Sequence, residues 1–210
     1  MPTHPEPDRP GSLSDPAALA ARRADIDGLH LRPLRAFARR IARERNAPVP
    51  HPDPLDGGTL ARLLLLLETP GPAISRTGFV SRDNPTGTAA NLFSFLRESA
   101  IARADTLIWN TIPWVIHAEG ARNRPPRRSE LRRSEPYLAP LIDLLPHLRV
   151  VVLAGRVAGA VREPLQRMRP ALPIIEVPHP SPTFVCTAPS VRERILTGFA
   201  EAGALLESSR

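Results

Sequence analysis

Three side chains, distant from one another along the chain, could act together on one small polar molecule: Glu68, Asn110 and His179. His179 stands between Pro178 and Pro180 in IIEVPHPSPTFV, residues 174–185, just past a short apolar run. The prolines remove backbone freedom on both sides of the ring. A neutral imidazole held so rigidly can donate a hydrogen bond to an oxygen that gains negative charge as a bond breaks. Ser181 and the amides beyond it are candidates to grip a phosphate. The remaining histidines, His4, His30, His51, His117 and His147, read as surface residues. Asn110 ends the run DTLIWN, where its amide can offer a donor and an acceptor together. That pattern matches the edge of a uracil or amide-like ring; the ordinary alternative is an asparagine that caps a loop. Glu68 closes LARLLLLLE and leads into Pro70-Gly71-Pro72. There the prolines stiffen the chain while Gly71 admits close approach of a ligand. Without other support such a loop is only a turn.

These positions fall at the ends of short apolar runs, which sets the expected architecture. Residues 60–68, 105–110, 149–155 and 173–177 read as strands, and 88–100, 135–148, 156–168 and 188–208 as helices. All-apolar strands separated by helices imply an α/β fold: a four-stranded parallel sheet covered on both faces, three-layer αβα. Ligands of such sheets bind beyond the carboxyl ends of the strands. That rule selects the loops 68–87, 110–134, 155–157 and 178–187. Gly155 to Val157 reads as a tight strand-to-helix turn with a packing glycine. Trp109 reads as core. Residues 1–14 read as disordered. A helix starting at Ser14-Asp15-Pro16 and a basic amphipathic helix from Leu31 to about Arg45 follow, then a proline- and glycine-rich connection over 47–58. The expected division is an extension over 1–58, whose helices pack on the core, and a main domain over 59–210.

The net charge is +7, and all 28 basic residues are arginine. Guanidinium groups suit bidentate phosphate contacts, so a polyanionic partner is expected. Arg122, Arg124, Arg127, Arg128, Arg132 and Arg133 crowd residues 120–133 against the single acid Glu130. The one cysteine, Cys186, excludes an internal disulfide and a cysteine-ligated metal cage. The opening MPTHPEPDRPGS has no apolar signal core, and no run approaches the roughly 20 apolar residues of a membrane span. A soluble, cytoplasmic monomer without metal or cofactor is expected.

In this order the loops resemble the uracil-DNA glycosylase superfamily. ETPGP (68–72) is similar to its first motif, IWN (108–110) to its strand-end asparagine, and HPSP (179–182) to its second motif. NRPPRRSEL and SEPYLAPLIDLLPHLRVVVLAG are most similar to family 4, and the resemblance covers about residues 60–205. It implies hydrolysis of the bond joining uracil to deoxyribose, on a base flipped out of DNA. His179 would stabilise the leaving anion and Glu68 would orient water. Asn110 would read the uracil edge, Phe79 would stack on the ring, and Thr69, Pro70 and Gly71 would line the pocket. Arg127, Arg128, Ser181, Thr183 and Phe184 would contact DNA, held in the cell at the nucleoid.

Three departures bear on this. Family 4 holds an iron–sulfur cluster through cysteines, but Ser134 stands where SEPYL leads one to expect a cysteine, and the N-terminal helices are expected to take over its structural role. Thr183 occupies the place of a leucine wedge, leaving Phe184 to fill the gap of the flipped base. Gly71 leaves open a place where selective relatives carry tyrosine, so other deaminated bases are also expected as substrates. Two other readings compete. One is a catalytically inactive nucleic-acid-binding protein on the same fold, and the other an enzyme acting on a free nucleoside or another small glycoside.

Overall fold

An unbroken apolar run suits a strand only where both of its faces are covered. Leu63–Leu67 (β2) and Val150–Ala154 (β5) occupy such positions at the centre of a sheet. The computed structural model of the protein describes residues 8–72, 74–118, 120–121 and 123–208. Thr106–Asn110 (β4) and Ile174–Val177 (β6) flank the central pair in the all-parallel order β4-β2-β5-β6.

Alternate side chains enter opposite layers. Leu64, Leu66, Trp109 and Leu153 pack against Arg32–Arg45 (α2), Leu138–Asp143 (α6) and Arg162–Met168 (α8) through Phe37, Ile41, Leu141 and Leu165. Leu63, Leu65, Ile108 and Val152 pack against Gly87–Glu98 (α4) and Pro189–Glu207 (α10) through Leu92, Phe95, Ile195 and Phe199. The result is the three-layer αβα fold with a four-stranded parallel sheet. Each of these leucines and phenylalanines, taken from water to full burial, contributes about 1.5–3 kcal/mol.

Before α2 lies Pro16–Ala24 (α1), started by Asp15, whose side chain accepts from Ala17 N at 2.9 Å, and by proline at the first helical position. Residues 1–7 lie outside the described residues. Residues 8–14 do not fit the expected disorder: Ser12–Ser14 forms a 3₁₀ turn, and the Asp8 carboxylate lies 2.6 Å from Arg103 and 2.8 Å from Arg82.

Proline explains where two expected helices break. Its ring clashes with the carbonyl four residues earlier. Pro164 therefore stops residues 156–168 from forming one helix, and the chain makes Arg156–Gly159 (α7) and then α8. Pro140 likewise leaves Glu135–Tyr137 as a 3₁₀ turn before α6. Inside the 47–58 connection, His51–Pro52 (β1) pairs in parallel with Phe79–Val80 (β3), a second small sheet. Ile74–Thr77 (α3) precedes β3, Arg128–Ser134 (α5) precedes α6, and Pro182–Val185 (α9) follows the HPSP segment.

Candidate active site

Register brings the three chemically active side chains to one edge of the sheet. Asn110 is the last residue of β4 and pairs with Leu67, so Glu68 is the next residue beyond β2. Val177 pairs with Ala154, which places Gly155 beside Pro178. His179 packs directly on that glycine: a Cβ added at Gly155 would stand 2.9 Å from His179 Cβ. Three strand spacings, about 14 Å, separate β4 from β6. Glu68, after β2, lies between them along the sheet edge.

Each of the three keeps its reactive atoms uncommitted. Asn110 is only 4% exposed, forms no side-chain hydrogen bond among the described residues and faces a small cavity. The Glu68 carboxylate is half-buried and forms no ion pair among the described residues. Burial pushes it above the usual carboxylate value, with the Arg156 guanidinium pulling the other way. The Thr69 hydroxyl is buried and has no partner among the described residues. A buried polar group with no protein partner is costly, and a bound water or ligand can satisfy it.

His179 is more constrained. Its Nδ1 accepts a hydrogen bond from Ser181 N at 3.2 Å. A ring nitrogen that accepts carries no proton, so the neutral ring has its proton on Nε2. Burial lowers the pKa below the ordinary imidazole value. The side chain is therefore a neutral donor at Nε2, suited to an oxygen that becomes negative.

The other expected site residues fall in two groups. Pro70 is buried and Gly71 half-buried; a Cβ on Gly71 would meet nothing within 4 Å. Ser181 and Thr183 share a 2.9 Å contact between hydroxyls, and Phe184, 49% exposed, has its ring 6.2 Å from that of His179. Phe79 is placed by β3 and is 1% exposed, so a base can stack on it only if the covering groups withdraw. A cavity beside Asn110, lined also by Thr111, Ser134 and Tyr137, has room for about one water and reaches neither Glu68 nor His179.

Arg127 and Arg128, at the start of α5, are exposed, as are Arg132 and Arg133. Arg124 is committed to Glu130, at 2.5 and 2.9 Å, and Arg122 lies outside the described residues. His30, His51 and His117 are half-buried rather than on the surface. Trp109 is core, stacked on Phe37 at 6.1 Å. Tyr137 meets Phe37 and Trp114 edge-on, with Arg45 over both Trp114 and Tyr137, so α2 packs on the segment that follows Ser134. An iron–sulfur cluster is held by about four thiolates. The single cysteine, exposed Cys186, cannot supply them, so the residues do not fit that group.

Three neighbours of these residues were not legible in the sequence: Asn91 and Gly87 of α4, which meet Pro180 and Pro182, and Arg156, which acts on Glu68. Arg156 carried no signal beyond its position after the third strand. Asn91 did carry one, a lone amide among Ala89, Leu92 and Phe93 of a buried helix face.

The fold is thus a parallel αβα sheet with an acid, an amide and a neutral imidazole at its carboxyl edge. The family model for the uracil DNA glycosylase superfamily matches residues 54–196, more than half of the chain, and the chain belongs to that superfamily. Members of the superfamily are in general hydrolytic DNA glycosylases. Among curated proteins, none matches the chain significantly.

Proposed function

We propose that the protein is a monofunctional DNA repair glycosylase that releases uracil, and other deaminated bases, leaving an abasic site. The observation that carries this reading is the state of the three edge residues: Asn110, Glu68 and His179 lie at one edge of the sheet, and among the described residues the Asn110 amide, the Glu68 carboxylate and His179 Nε2 have no hydrogen-bond or ion-pair partner. Asn110 reads the pyrimidine edge, with the Thr69 hydroxyl and the backbone of Pro70 and Gly71 around it. The glycosidic bond breaks with its electron pair going to uracil, whose charge spreads to O2. His179 Nε2–H donates to that oxygen. Glu68 orients the water that attacks C1′ of the sugar cation and takes its proton. Phe79 stacks on the base once its cover moves aside. Phe184, beside Thr183, fills the space the base vacates, while Ser181, Arg127 and Arg128 hold the phosphates. The protein works as a cytoplasmic monomer on nucleoid DNA, without cofactor.

The test is a labelled oligonucleotide with one uracil, hypoxanthine or xanthine, single- or double-stranded, treated with alkali after incubation. Strand cleavage is expected, and His179→Ala lowers its rate about 100- to 1000-fold while DNA binding persists. No cleavage from any of these substrates ends the reading. One observation favours a second reading, a protein that binds DNA without releasing a base. The cover over Phe79 and the one-water cavity beside Asn110 leave no preformed base-sized space there. That reading predicts salt-sensitive DNA binding with no abasic product.

A further inference from the structure

Asn91 lies on α4, outside every loop that carries the proposed chemistry, yet its side-chain nitrogen is 2.8 Å from Pro180 O. A carbonyl can only accept, so the atom facing it is the amide NH₂. Pro180 O and Ser181 N belong to one peptide unit. That unit is planar, with C=O and N–H pointing in opposite directions. The N–H end is the donor to His179 Nδ1, at 3.2 Å. Fixing the carbonyl therefore fixes the direction of the N–H, and the N–H determines which ring nitrogen is without a proton. Hydrogen bonds in such a chain also polarise and strengthen one another.

The same helix is seated against the loop. A Cβ added at Gly87, in the first turn of α4, would stand 2.4 Å from Pro182 Cγ. Close packing at Gly87 and the bond from Asn91 thus hold the HPSP segment from one side. Gly155 packs directly against the imidazole.

We infer that Asn91 is a positioning residue for His179, holding it through the Pro180–Ser181 peptide as the neutral tautomer with the proton on Nε2. This rests on the proposed glycosylase chemistry only for its effect on rate. With the peptide free to rotate, Nδ1 loses its donor and becomes available to a proton. The charged or titratable groups on the elements around the ring include Glu68 after β2, Arg156 on α7, Glu176 on β6, which pairs with Arg162 at 3.3 Å, and Cys186 after α9. On α4 and α10, Glu98 and Arg192 pair with each other at 2.6 Å. None of them contributes to the lowered imidazole pKa, which comes from burial.

The experiment uses the full chain with Asn91→Ala and Asn91→Asp, each alone and combined with His179→Ala. The aspartate keeps the shape and removes the donor. Nitrogen-detected NMR of the His179 ring is followed against pH without DNA, and single-turnover base release is measured on a uracil oligonucleotide. The wild type is expected to show the Nε2–H tautomer, neutral to below pH 6.5. Both variants, folded by thermal melting, are expected to raise the ring's pKa and mix its tautomers. Release slows about 10- to 100-fold, most at acid pH. In the His179→Ala background the same change costs less than about twofold. An unchanged ring titration in a folded variant overturns the assignment, as does a full multiplicative loss in the double variant. If the wild type releases no base but the titration still responds to residue 91, the glycosylase reading fails and the role of Asn91 stands.

Discussion

Gly155 lies against His179 so closely that a Cβ at position 155 would stand 2.9 Å from the imidazole's Cβ and 3.3 Å from its Cδ2. The glycine has φ +90°, a left-handed conformation that other residues adopt at a cost of about 1–3 kcal/mol. Gly155→Ala therefore imposes both strain and a displacement of the ring. The expected outcome is a folded protein with a lowered melting temperature and base release slowed about 100-fold, since a shift near 1 Å has that effect on an aligned group. DNA affinity, read by fluorescence anisotropy, is expected to hold. Loss of stability with an unaltered single-turnover rate would contradict the contact's role.

Gly71 presents the opposite situation. Its φ is not positive, and a Cβ there meets nothing within 4 Å. Gly71→Tyr is expected to change stability by less than about 0.5 kcal/mol, as for an unconstrained surface position. Its ring would narrow the space next to Thr69 and Pro70. Release of hypoxanthine and xanthine relative to uracil is expected to fall at least about 10-fold, measured by competing substrates in one reaction. An unchanged preference would mean that the base does not approach Gly71.

The strands that carry the site were legible because five leucines in a row, Leu63–Leu67, have no polar side to offer and must be buried on both faces. The edge positions Glu68, Asn110 and His179 followed from where those runs stop. Strand order did not, because β4-β2-β5-β6 depends on which neighbours pair, not on any local pattern. The β1–β3 pair was illegible for another reason: two-residue strands such as His51–Pro52 are too short to show alternation. The break before α8 could have been read from Pro164. The contact of Asn91 with Pro180 joins residues 89 positions apart, and only the folded chain reveals it.

The exposed arginines of α5 give a prediction about salt. Arg128 in α5 and Arg127 just before it are exposed, and α5 ends at Ser134, which shares a cavity with Asn110. Each phosphate contact removed lowers the steepness of log affinity against log salt by about 0.9 for duplex DNA. The single variants Arg127→Ala and Arg128→Ala are each expected to show that change, and the double variant about twice it. The readout is DNA affinity over a salt series on undamaged duplex. An unchanged slope would place both guanidiniums away from the DNA.

Next to β1 and β3, charges from scattered positions meet, all of them largely buried except that of Asp8. Arg103 lies 2.9 Å from Asp56, 2.8 Å from Asp53 and Asp83, and 2.6 Å from Asp8. Arg22 joins Asp53 to Asp83, and Arg82 reaches Asp8. Four carboxylates thus face three guanidiniums, and one proton restores neutrality. Asp56 is the group to hold it. Its Oδ2 has no partner, and burial pushes its pKa up to about 8 against the pull of Arg103, with Asp53 and Asp83 adding to the rise. Because the folded pKa lies above the unfolded one, the folded state binds the extra proton between them. The resulting stability is full below about pH 4 and is lost as the pH rises through about 8. Burial moves Asp83 in the same direction. Asp56→Asn keeps an acceptor for Arg103 and makes neutrality permanent. It is expected to leave stability near pH 5 little changed and to exceed the wild type by about 2–4 kcal/mol at pH 9. Urea unfolding at pH 5, 7 and 9 measures this. A variant weakened by the same amount at all three values would mean that Asp56 is ionised in the folded protein, and that Arg103 needs its charge.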